Sequence, residues 1–222
     1  MKRSLCMLFA AAAMGACQVH GPAGNSSPAD WPAIRIELEN VKSTDQTLRN
    51  EYSKMLADAR AKGVEIDPAA RKDIWDRINA QDAANQRRVF ALVDQHGWPP
   101  QSKVGVDAAI AAFLVVQHAG LADQQKYIGR YRDAVTAGEA SKSNLALLED
   151  RILIREGKKQ RYGTQADTKS GVSILPTEDE ESLDARRKDM GLPPICEYLK
   201  YFVRQHGKVT YPRCVDPSRA TQ

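Results

Sequence analysis

The chain has 222 residues, with 32 lysines and arginines against 28 aspartates and glutamates. The formal net charge of +4 falls by two if a leader that carries Lys2 and Arg3 is removed, and both charge signs are interspersed. Such a weak, evenly distributed charge does not favour nucleic acid as a partner, so we predict none. The length suits one domain.

The first 16 residues have the three-part layout of a bacterial signal peptide. Met1-Lys2-Arg3 is a short positive start, and Leu5–Met14 is an apolar stretch, too short for a bilayer-spanning helix of about 20 residues. Gly15-Ala16 places small residues directly before Cys17. This pattern favours lipoprotein processing, in which Cys17 is lipidated and becomes the new N-terminus. Ordinary cleavage after Ala16, without a lipid, is the alternative.

The segment that follows the leader is predicted to be an anchor and tether, covering residues 17–30. Residues 18–30 are rich in Gly, Pro, Ser and Asn, a composition that cannot bury enough apolar surface to fold. We therefore expect a membrane partner through the lipid on Cys17, and a lipoprotein that faces the periplasm. Without the lipid, the protein would be soluble in the periplasm or secreted. Residues 31–222 form the predicted helical domain.

Glycines and prolines divide the mature chain into predicted helices. Six glycines each follow a stretch of helical periodicity, at the place where a left-handed cap ends a helix: Gly63, Gly97, Gly120, Gly138, Gly157 and Gly207. Asp67-Pro68 puts an N-cap before a first-turn proline. The predicted helices cover about 35–62, 68–96, 104–119, 123–137, 142–156 and 193–206.

Strand signals are scarce. The best are 171–175 and 208–211, and both are short. Residues 158–190 lack clear periodicity and are predicted to form a long irregular segment packed on the helices, of a length that is often functional. The predicted fold class is therefore mainly α: a single irregular multi-helix domain with a long non-helical segment near 158–190.

Two cysteines remain in the predicted domain, Cys196 and Cys214. A pair in an exported protein favours a disulfide, because the compartment is oxidising. It would close a loop of 17 intervening residues, which stabilises a fold by about 3 kcal/mol on the chain-entropy model. A redox or metal-binding pair is the alternative, although neither cysteine belongs to a C-x-x-C motif.

Polar residues interrupt the apolar faces of two predicted helices. Residues 106–118 are apolar at nearly every angle, so Gln117 and His118 are expected to be buried and to need partners. Asp150 lies in an apolar arc of the helix 145–156. A buried carboxylate is costly unless it is paired or hydrogen-bonded. We therefore expect a dedicated cation or a cluster of donors at Asp150.

Several segments together resemble a bacterial family of unknown function, over residues 36–200 or so. The matching segments are Asp45-Gln46…Arg49, Asp82…Asn85…Arg88, His96-Gly97-Trp98-Pro99 with Val104-Gly105, Gln117-His118-Ala119, Asp150-Arg151, and Gly157…Gln160-x-Tyr162-Gly163-Thr164-Gln165. The last two are the most specific. The resemblance implies that these residues are the signature positions of the family. It does not imply any particular activity.

The acidic and basic residues of the first two segments are predicted to be helix-surface charges more readily than site residues. Asp45 and Arg49 have the i,i+4 spacing of a surface ion pair. Asp82 and Arg88 are six residues apart and so lie on opposite sides of a helix, which favours separate roles for the two.

Three interpretations of the polar residues stay open. In an enzyme, His118 would transfer a proton, and Asp150 would orient the His118 ring. Arg151 would bind an anion, and Tyr162 would complete the catalytic set. The ligand would be bound by Gln117, Gln160, Thr164 and Gln165. The reaction would be hydrolysis or acid–base chemistry on a small polar substrate. A binding module would hold a small ligand or a peptide in the same pocket, and a structural network would only hold the helices to the segment 158–190.

No common catalytic motif decides among these interpretations. The sequence has no G-x-S-x-G, no H-E-x-x-H, no phosphate-binding glycine loop and no dinucleotide fingerprint. We therefore predict no cofactor. A metal site built from His118, Asp150 and His206 is conceivable, but the spacing is not diagnostic and we predict no metal. The sequence identifies neither a small-molecule nor a protein partner.

Overall fold

The computed structural model describes residues 28–167, 172–206, 209–211 and 213–214. The fold is mainly helical, which confirms the predicted class. The predicted leader and most of the tether, with Cys17, lie outside the described residues. The α-helices of the described part are α1 (Trp31–Lys62), α2 (Pro68–His96), α3 (Gln101–Val104), α4 (Val106–His118), α5 (Leu121–Thr136), α6 (Lys142–Arg155), α7 (Leu183–Asp189) and α8 (Ile195–His206).

Local sequence signals set the ends of the long helices. The Asp67 carboxylate accepts hydrogen bonds from the backbone N–H groups of Ala69 and Ala70, which directly follow the first-turn Pro68. Side-chain caps of this kind satisfy the donors that a helix start leaves without a partner. At the end of α1, Gly63 has a φ of 65°, a left-handed conformation that residues with a Cβ rarely adopt.

The main core lies where α1 packs against both α2 and α4, and where α5 packs along α6. Helix α4 is the most enclosed element, with seven of its residues buried. Side chains of α1 and α2, among them Leu38, Val41 and Val93, are fully buried against it. Among the described residues, no helix combines the length and the apolar character that crossing a membrane requires.

The segment 158–190 contains more regular structure than the sequence predicted. It holds strands β1 (Ala166–Asp167) and β2 (Val172–Ile174), a short 3-10 helix at Glu180–Ser182, and α7. Strand β1 pairs antiparallel with β2, and β2 pairs parallel with β3 (Val209–Thr210). Strands β2 and β3 lie within the predicted strand segments 171–175 and 208–211, whereas β1 and the seven-residue α7 were missed because they are too short to show a period.

A second, smaller core packs α8 against this segment. Leu183, Ile195, Leu199 and Tyr211 are buried there. The predicted disulfide is present: Cys196 in α8 is bonded to Cys214, with their Cα atoms 5.4 Å apart. The bond ties α8 to the chain that follows β3.

Replacing both Cys196 and Cys214 with serine should lower the free energy of unfolding by about 3 kcal/mol, because the unfolded chain regains the freedom of the closed loop. Urea unfolding followed by circular dichroism measures the change. Reduction of the wild-type protein should reproduce the midpoint of the double variant. Alkylation without reductant should label neither cysteine, and stoichiometric labelling of either one would contradict the bond.

Candidate functional site

A carboxylate and an imidazole form a hydrogen-bonded pair between α1 and α4. Nδ1 of His118, the last residue of α4, lies 3.0 Å from Oδ1 of Asp45. Asp45 is buried, with 3% of its surface exposed, and Gln46 Nε2 donates a hydrogen bond of 2.6 Å to its second oxygen. Burial raises the pKa of Asp45, but the hydrogen bond and charge of His118, helped by Arg49 and Gln46, outweigh it and leave this pKa below its usual value. Asp45 is therefore a charged acceptor at neutral pH.

Arg49 joins this pair to α2. Its Nη2 donates to both oxygens of Asp82, at 2.9 and 2.8 Å, and its Nε lies 3.1 Å from Nδ1 of His118. The same Nε is 3.7 Å from Asp45 Oδ2. The predicted i,i+4 contact of Asp45 and Arg49 therefore exists, but the prediction of a surface pair was wrong, because Asp45 is inside. Arg88 is exposed, and no ion pair holds it among the described residues.

Nδ1 of His118 thus has two neighbours that require opposite protonation states of this nitrogen. A protonated Nδ1 donates to Asp45, whereas an Nδ1 lone pair accepts from Arg49 Nε. Only one of these bonds forms at a time, so the tautomer of the ring decides between them. Nε2 of His118 has no hydrogen-bond partner among the described residues, and it is not sealed from solvent.

The same residues offer a candidate set of metal ligands. Asp45, Asp82 and His118 each present one ligand atom, and these atoms lie within 4.8 Å of one another. The Arg49 guanidinium lies among them and already supplies a positive charge to both carboxylates. A divalent ion would have to displace it, so the geometry fits an arginine-centred network better than a metal centre.

The arrangement around Asp150 does not support a metal site built from His118, Asp150 and His206. Both oxygens of Asp150 are engaged by hydrogen bonds from the loop 161–164. The side chain of His206 lies outside the described part of the structure.

Asp150 in α6 is fully buried and binds the loop that carries the Tyr162-Gly163-Thr164-Gln165 motif. Its Oδ1 accepts from the backbone N–H groups of Arg161 and Tyr162, at 2.7 and 3.0 Å. Its Oδ2 accepts from the backbone N–H and the hydroxyl of Thr164, at 3.0 and 2.9 Å. Burial raises the pKa of Asp150 in spite of these hydrogen bonds. Of the two predicted kinds of partner, the structure provides the cluster of donors.

A buried cation lies on the other side of this loop. Arg187 in α7 is fully buried and donates from Nη1 to the carbonyl oxygen of Tyr162, at 2.5 Å, and from Nε to that of Pro193, at 2.7 Å. Asp150 therefore holds the N–H groups of the loop while Arg187 holds a carbonyl of it. The loop links the two charges without a direct ion pair.

The backbone of the motif requires its glycine. Gly163 has a φ of 66°, and a Cβ built there would lie 3.2 Å from Cδ1 of Ile195. A larger residue would be strained in this conformation and would press on the second core. Tyr162 is buried, and its hydroxyl lies 3.3 Å from Glu149 Oε2.

Gln160 closes the loop at its other end. Its fully buried side chain accepts from the backbone N–H of Gln165, at 2.8 Å, and donates to the carbonyl oxygens of Gln165 and Leu175, at 3.0 and 2.7 Å. The side-chain amide adds to the backbone hydrogen bond that the N–H of Leu175 donates to the carbonyl oxygen of Gln165. The side chain of Gln165 is thereby aimed at α6, where its Oε1 lies 3.3 Å from Nε of Arg151.

Arg151 connects the loop to the end of α4. Its Nη1 donates to the carbonyl oxygen of Gln117, at 3.0 Å, directly before His118 in the chain. Burial, followed by the charges of Arg155 and Arg49, lowers the pKa of Arg151 to about 10. No carboxylate forms an ion pair with Arg151 among the described residues.

The predicted site residues therefore fall into two connected groups. Gln117, His118, Arg151 and Gln165 lie around the end of α4. The others (Asp150, Gln160, Tyr162, Thr164) build the loop beneath them. Asp150 makes no hydrogen bond to His118, so the carboxylate predicted to orient the ring is the wrong one, and Asp45 takes that place.

Gln117 contributes its backbone carbonyl to this arrangement. The carbonyl also accepts from Nε2 of Gln124, at 2.7 Å. The side-chain Oε1 of Gln117 is buried and has no hydrogen-bond partner among the described residues.

Sequence reasoning missed Asp45, Arg49 and Asp82 as members of the site. One signal was present: Leu38, Val41 and Asp45 follow the spacing of one helix face, and all three are buried. A carboxylate on an apolar helix face predicts a buried group that needs hydrogen-bond partners, and this applies to Asp45 in α1 as it does to Asp150 in α6.

Together, the fold and these contacts define a helical protein with a carboxylate–histidine–arginine network among α1, α2 and α4. The family model of DUF6624, a family of unknown function, matches residues 32–209, and the chain belongs to this family. The resemblance to a family of unknown function is thus confirmed, while its bacterial origin stays a prediction. Searches of curated proteins and of solved structures found no match.

The variant Asp150→Asn should lower the free energy of unfolding by about 2 kcal/mol or more, because its NH₂ group would face N–H donors and leave them buried without an acceptor. Urea unfolding measures the difference. Thr164→Val, which removes only the hydroxyl donor, should lower the free energy of unfolding by about 1 kcal/mol.

The control for this prediction is Asp133→Asn, since Asp133 is exposed on α5. Its substitution should change stability by no more than about 0.5 kcal/mol. Equal stabilities of Asp150→Asn and the control would show that the carboxylate does not hold the loop.

Proposed function

We propose that this protein is an exported, lipid-anchored envelope protein in which the Asp45–His118 pair performs acid–base chemistry on a small polar substrate. One observation carries the catalytic part. Nδ1 of His118 lies 3.0 Å from a buried carboxylate, while Nε2 has no partner among the described residues and is not sealed from solvent. A base oriented in this way is half of the arrangement that enzymes use for proton transfer.

The two neighbours of Nδ1 suit both directions of proton transfer. With the proton on Nδ1 and Asp45 as its acceptor, Nε2 carries the lone pair and can take a proton from a substrate. With the lone pair on Nδ1 and Arg49 Nε as its donor, Nε2 carries the proton and can give it up. Each neutral form of the ring has a hydrogen-bond partner at 3.0 or 3.1 Å.

The groups around the end of α4 favour a polar substrate. Arg151 contacts the side chain of Gln165 and the backbone carbonyl of Gln117, the residue directly before His118. Asp45 and Asp82 are occupied by Arg49 and His118, so they hold the site together and leave His118 to face the ligand.

Export and anchoring rest on the sequence. The leader of 16 residues, the small residues before Cys17 and the polar tether carry this part of the proposal, and they lie outside the described residues. The Cys196–Cys214 disulfide supports it, because such bonds persist in oxidising compartments.

Expression of the full chain in a bacterial host with a radiolabelled fatty acid should label the protein and place it in the membrane fraction. Cys17→Ser should abolish the label and release the protein in soluble form. Cys6→Ser, which changes a cysteine inside the leader, is the control and should be labelled as the wild type is. An unlabelled wild type that is cleaved after Ala16 would contradict lipidation while leaving export intact.

The catalytic proposal is tested by screening the mature protein for stabilising ligands and assaying each hit for turnover. Envelope metabolites, nucleotides and peptidoglycan fragments form the set. We expect His118→Asn to reduce turnover by about 100-fold or more, since it removes the proton-transferring group. Asp45→Asn should reduce turnover too, because the ring loses the charged acceptor at Nδ1.

His96→Asn is the matched control. His96 also ends a helix, but its ring packs against Trp31 at 6.4 Å, and turnover should not change. Unchanged turnover in His118→Asn would overturn the catalytic role. A ligand that binds at His118 and is never converted would make the protein a binding module.

Nitrogen-15 spectra of the histidine rings test the pair without a substrate. They should show the neutral ring of His118 protonated at Nδ1, because Asp45 is a charged acceptor. In Asp45→Asn, the balance should move toward protonation at Nε2, because Arg49 Nε remains as the donor to Nδ1. The same tautomer in both proteins would contradict the role given to Asp45.

A further inference from the structure

We infer that the substrate carries an oxyanion, a carboxylate or a phosphate, and that Arg151 binds this group beside His118. The inference rests on the proposed function, since it names the substrate class of the same site. It is carried by an arginine that the fold holds in place without giving it a counter-ion.

Arg151 differs from Arg49 and Arg132 in its partners. Arg49 is neutralised by Asp82 and Arg132 by Glu149, at 2.8 Å in both cases. Arg151 is half-buried and is held by two neutral oxygens, the carbonyl of Gln117 and the side chain of Gln165. These bonds fix the position of the guanidinium but leave its charge uncompensated.

The guanidinium keeps a donor for a ligand. Nη2 of Arg151 has no hydrogen-bond partner among the described residues and is not buried from solvent. Arg187 provides the contrast: its Nη2 also has no partner there, but the side chain is fully buried, so no ligand reaches it. Of these two arginines, Arg151 is the one that is both held in place and open to a ligand.

Positive charge accumulates around Arg151. Arg155 donates from Nη1 to the carbonyl oxygen of Ala119, at 2.6 Å, so two arginines of α6 contact the backbone of the residues directly before and after His118. Arg155 and Arg49 are close enough for their charges to disfavour the protonated form of Arg151. An anion among them would relieve this repulsion.

A purely structural role for the two arginines of α6 would be to cap the end of α4. The C-terminus of a helix carries a partial charge of roughly −0.5. That charge offsets part of one guanidinium and cannot offset both. Capping therefore accounts for the two hydrogen bonds to carbonyls and leaves more than one positive charge unmatched.

An oxyanion suits this position because a guanidinium offers donors in a planar fork, which carboxylates and phosphates accept with two oxygens. The carbonyl that Arg151 contacts belongs to the residue before His118. An anion on Nη2 would therefore anchor the substrate next to the proton-transferring ring, which positions the rest of the molecule.

The experiment is a calorimetric titration of the mature protein with inorganic phosphate and, separately, with acetate, at low ionic strength. We expect saturable binding of at least one of them, with one site per chain. Arg151→Met should weaken that binding by tenfold or more. Phosphate alone would indicate a phosphate-bearing substrate, acetate alone a carboxylate, and either result supports the inference.

Arg130→Met is the matched control. Arg130 also donates to a carbonyl near the end of a helix, that of Val93 at 2.9 Å, but it has Asp94 at 3.8 Å. Its removal should leave anion binding unchanged. His118→Asn should bind within threefold of the wild type and lack turnover, so failure of the catalytic proposal and failure of this inference give different results.

The inference is overturned if the wild type binds neither anion, or if Arg151→Met binds as the wild type does. Should Arg151→Met fail to fold, the side-chain nitrogen resonances of arginine in the wild type decide the matter. Phosphate or acetate should shift the Arg151 resonance and leave that of Arg130 in place. A titration that shifts neither resonance would overturn the inference as well.

Discussion

The candidate site depends on the burial of one carboxylate. Asp150 has no exposed surface and gathers four donors from the loop 161–164, which fixes a stretch of chain that has almost no regular structure of its own. That loop presents Gln165, Gln165 contacts Arg151, and Arg151 contacts the end of α4 beside His118. The energetic cost of burying a charge is offset by hydrogen bonds from the loop, which in turn positions Gln165 against Arg151. The residues that hold the loop and the residues that face the ligand are therefore different, and substitutions in the two groups should have different effects.

The other half of the site is an arrangement of charges that are mostly matched. Asp45, Asp82, Arg49 and His118 form a network in which each carboxylate has a cation or an imidazole as partner. Such a network rigidifies the junction of three helices because each member has a defined hydrogen-bond partner. The groups without a match lie around the end of α4: Nε2 of His118 and the charges of Arg151 and Arg155. Unmatched groups that solvent can reach, next to a network that is otherwise satisfied, indicate where a ligand would bind.

The sequence predicted the long helices well because their ends carry local signals. Helix α2 runs from Pro68 to His96 as predicted, since Asp67 caps its start and Gly97 ends it. Asp150 was correctly predicted to be buried and to need partners, but three of its four donors are backbone N–H groups, which every non-proline residue has, so no residue pattern identifies them. Arg49 could not be assigned from the sequence, because its partners on α2 and α4 depend on how three helices pack. A seven-residue helix such as α7 was missed because it spans two turns and shows no period.

The separation of the site residues along the chain has a consequence for folding. Asp45 and His118 are 73 residues apart, Arg49 and Asp82 are 33 apart, and Arg151 reaches Gln117 across 34. Contacts between such distant positions form only after the entropy of closing the intervening chain has been overcome. No single helix or helical hairpin contains the site, so a partly folded or truncated chain would keep much of its helix content while lacking the Asp45–His118 bond. The tautomer of His118 is therefore a more stringent measure of the native state than helix content.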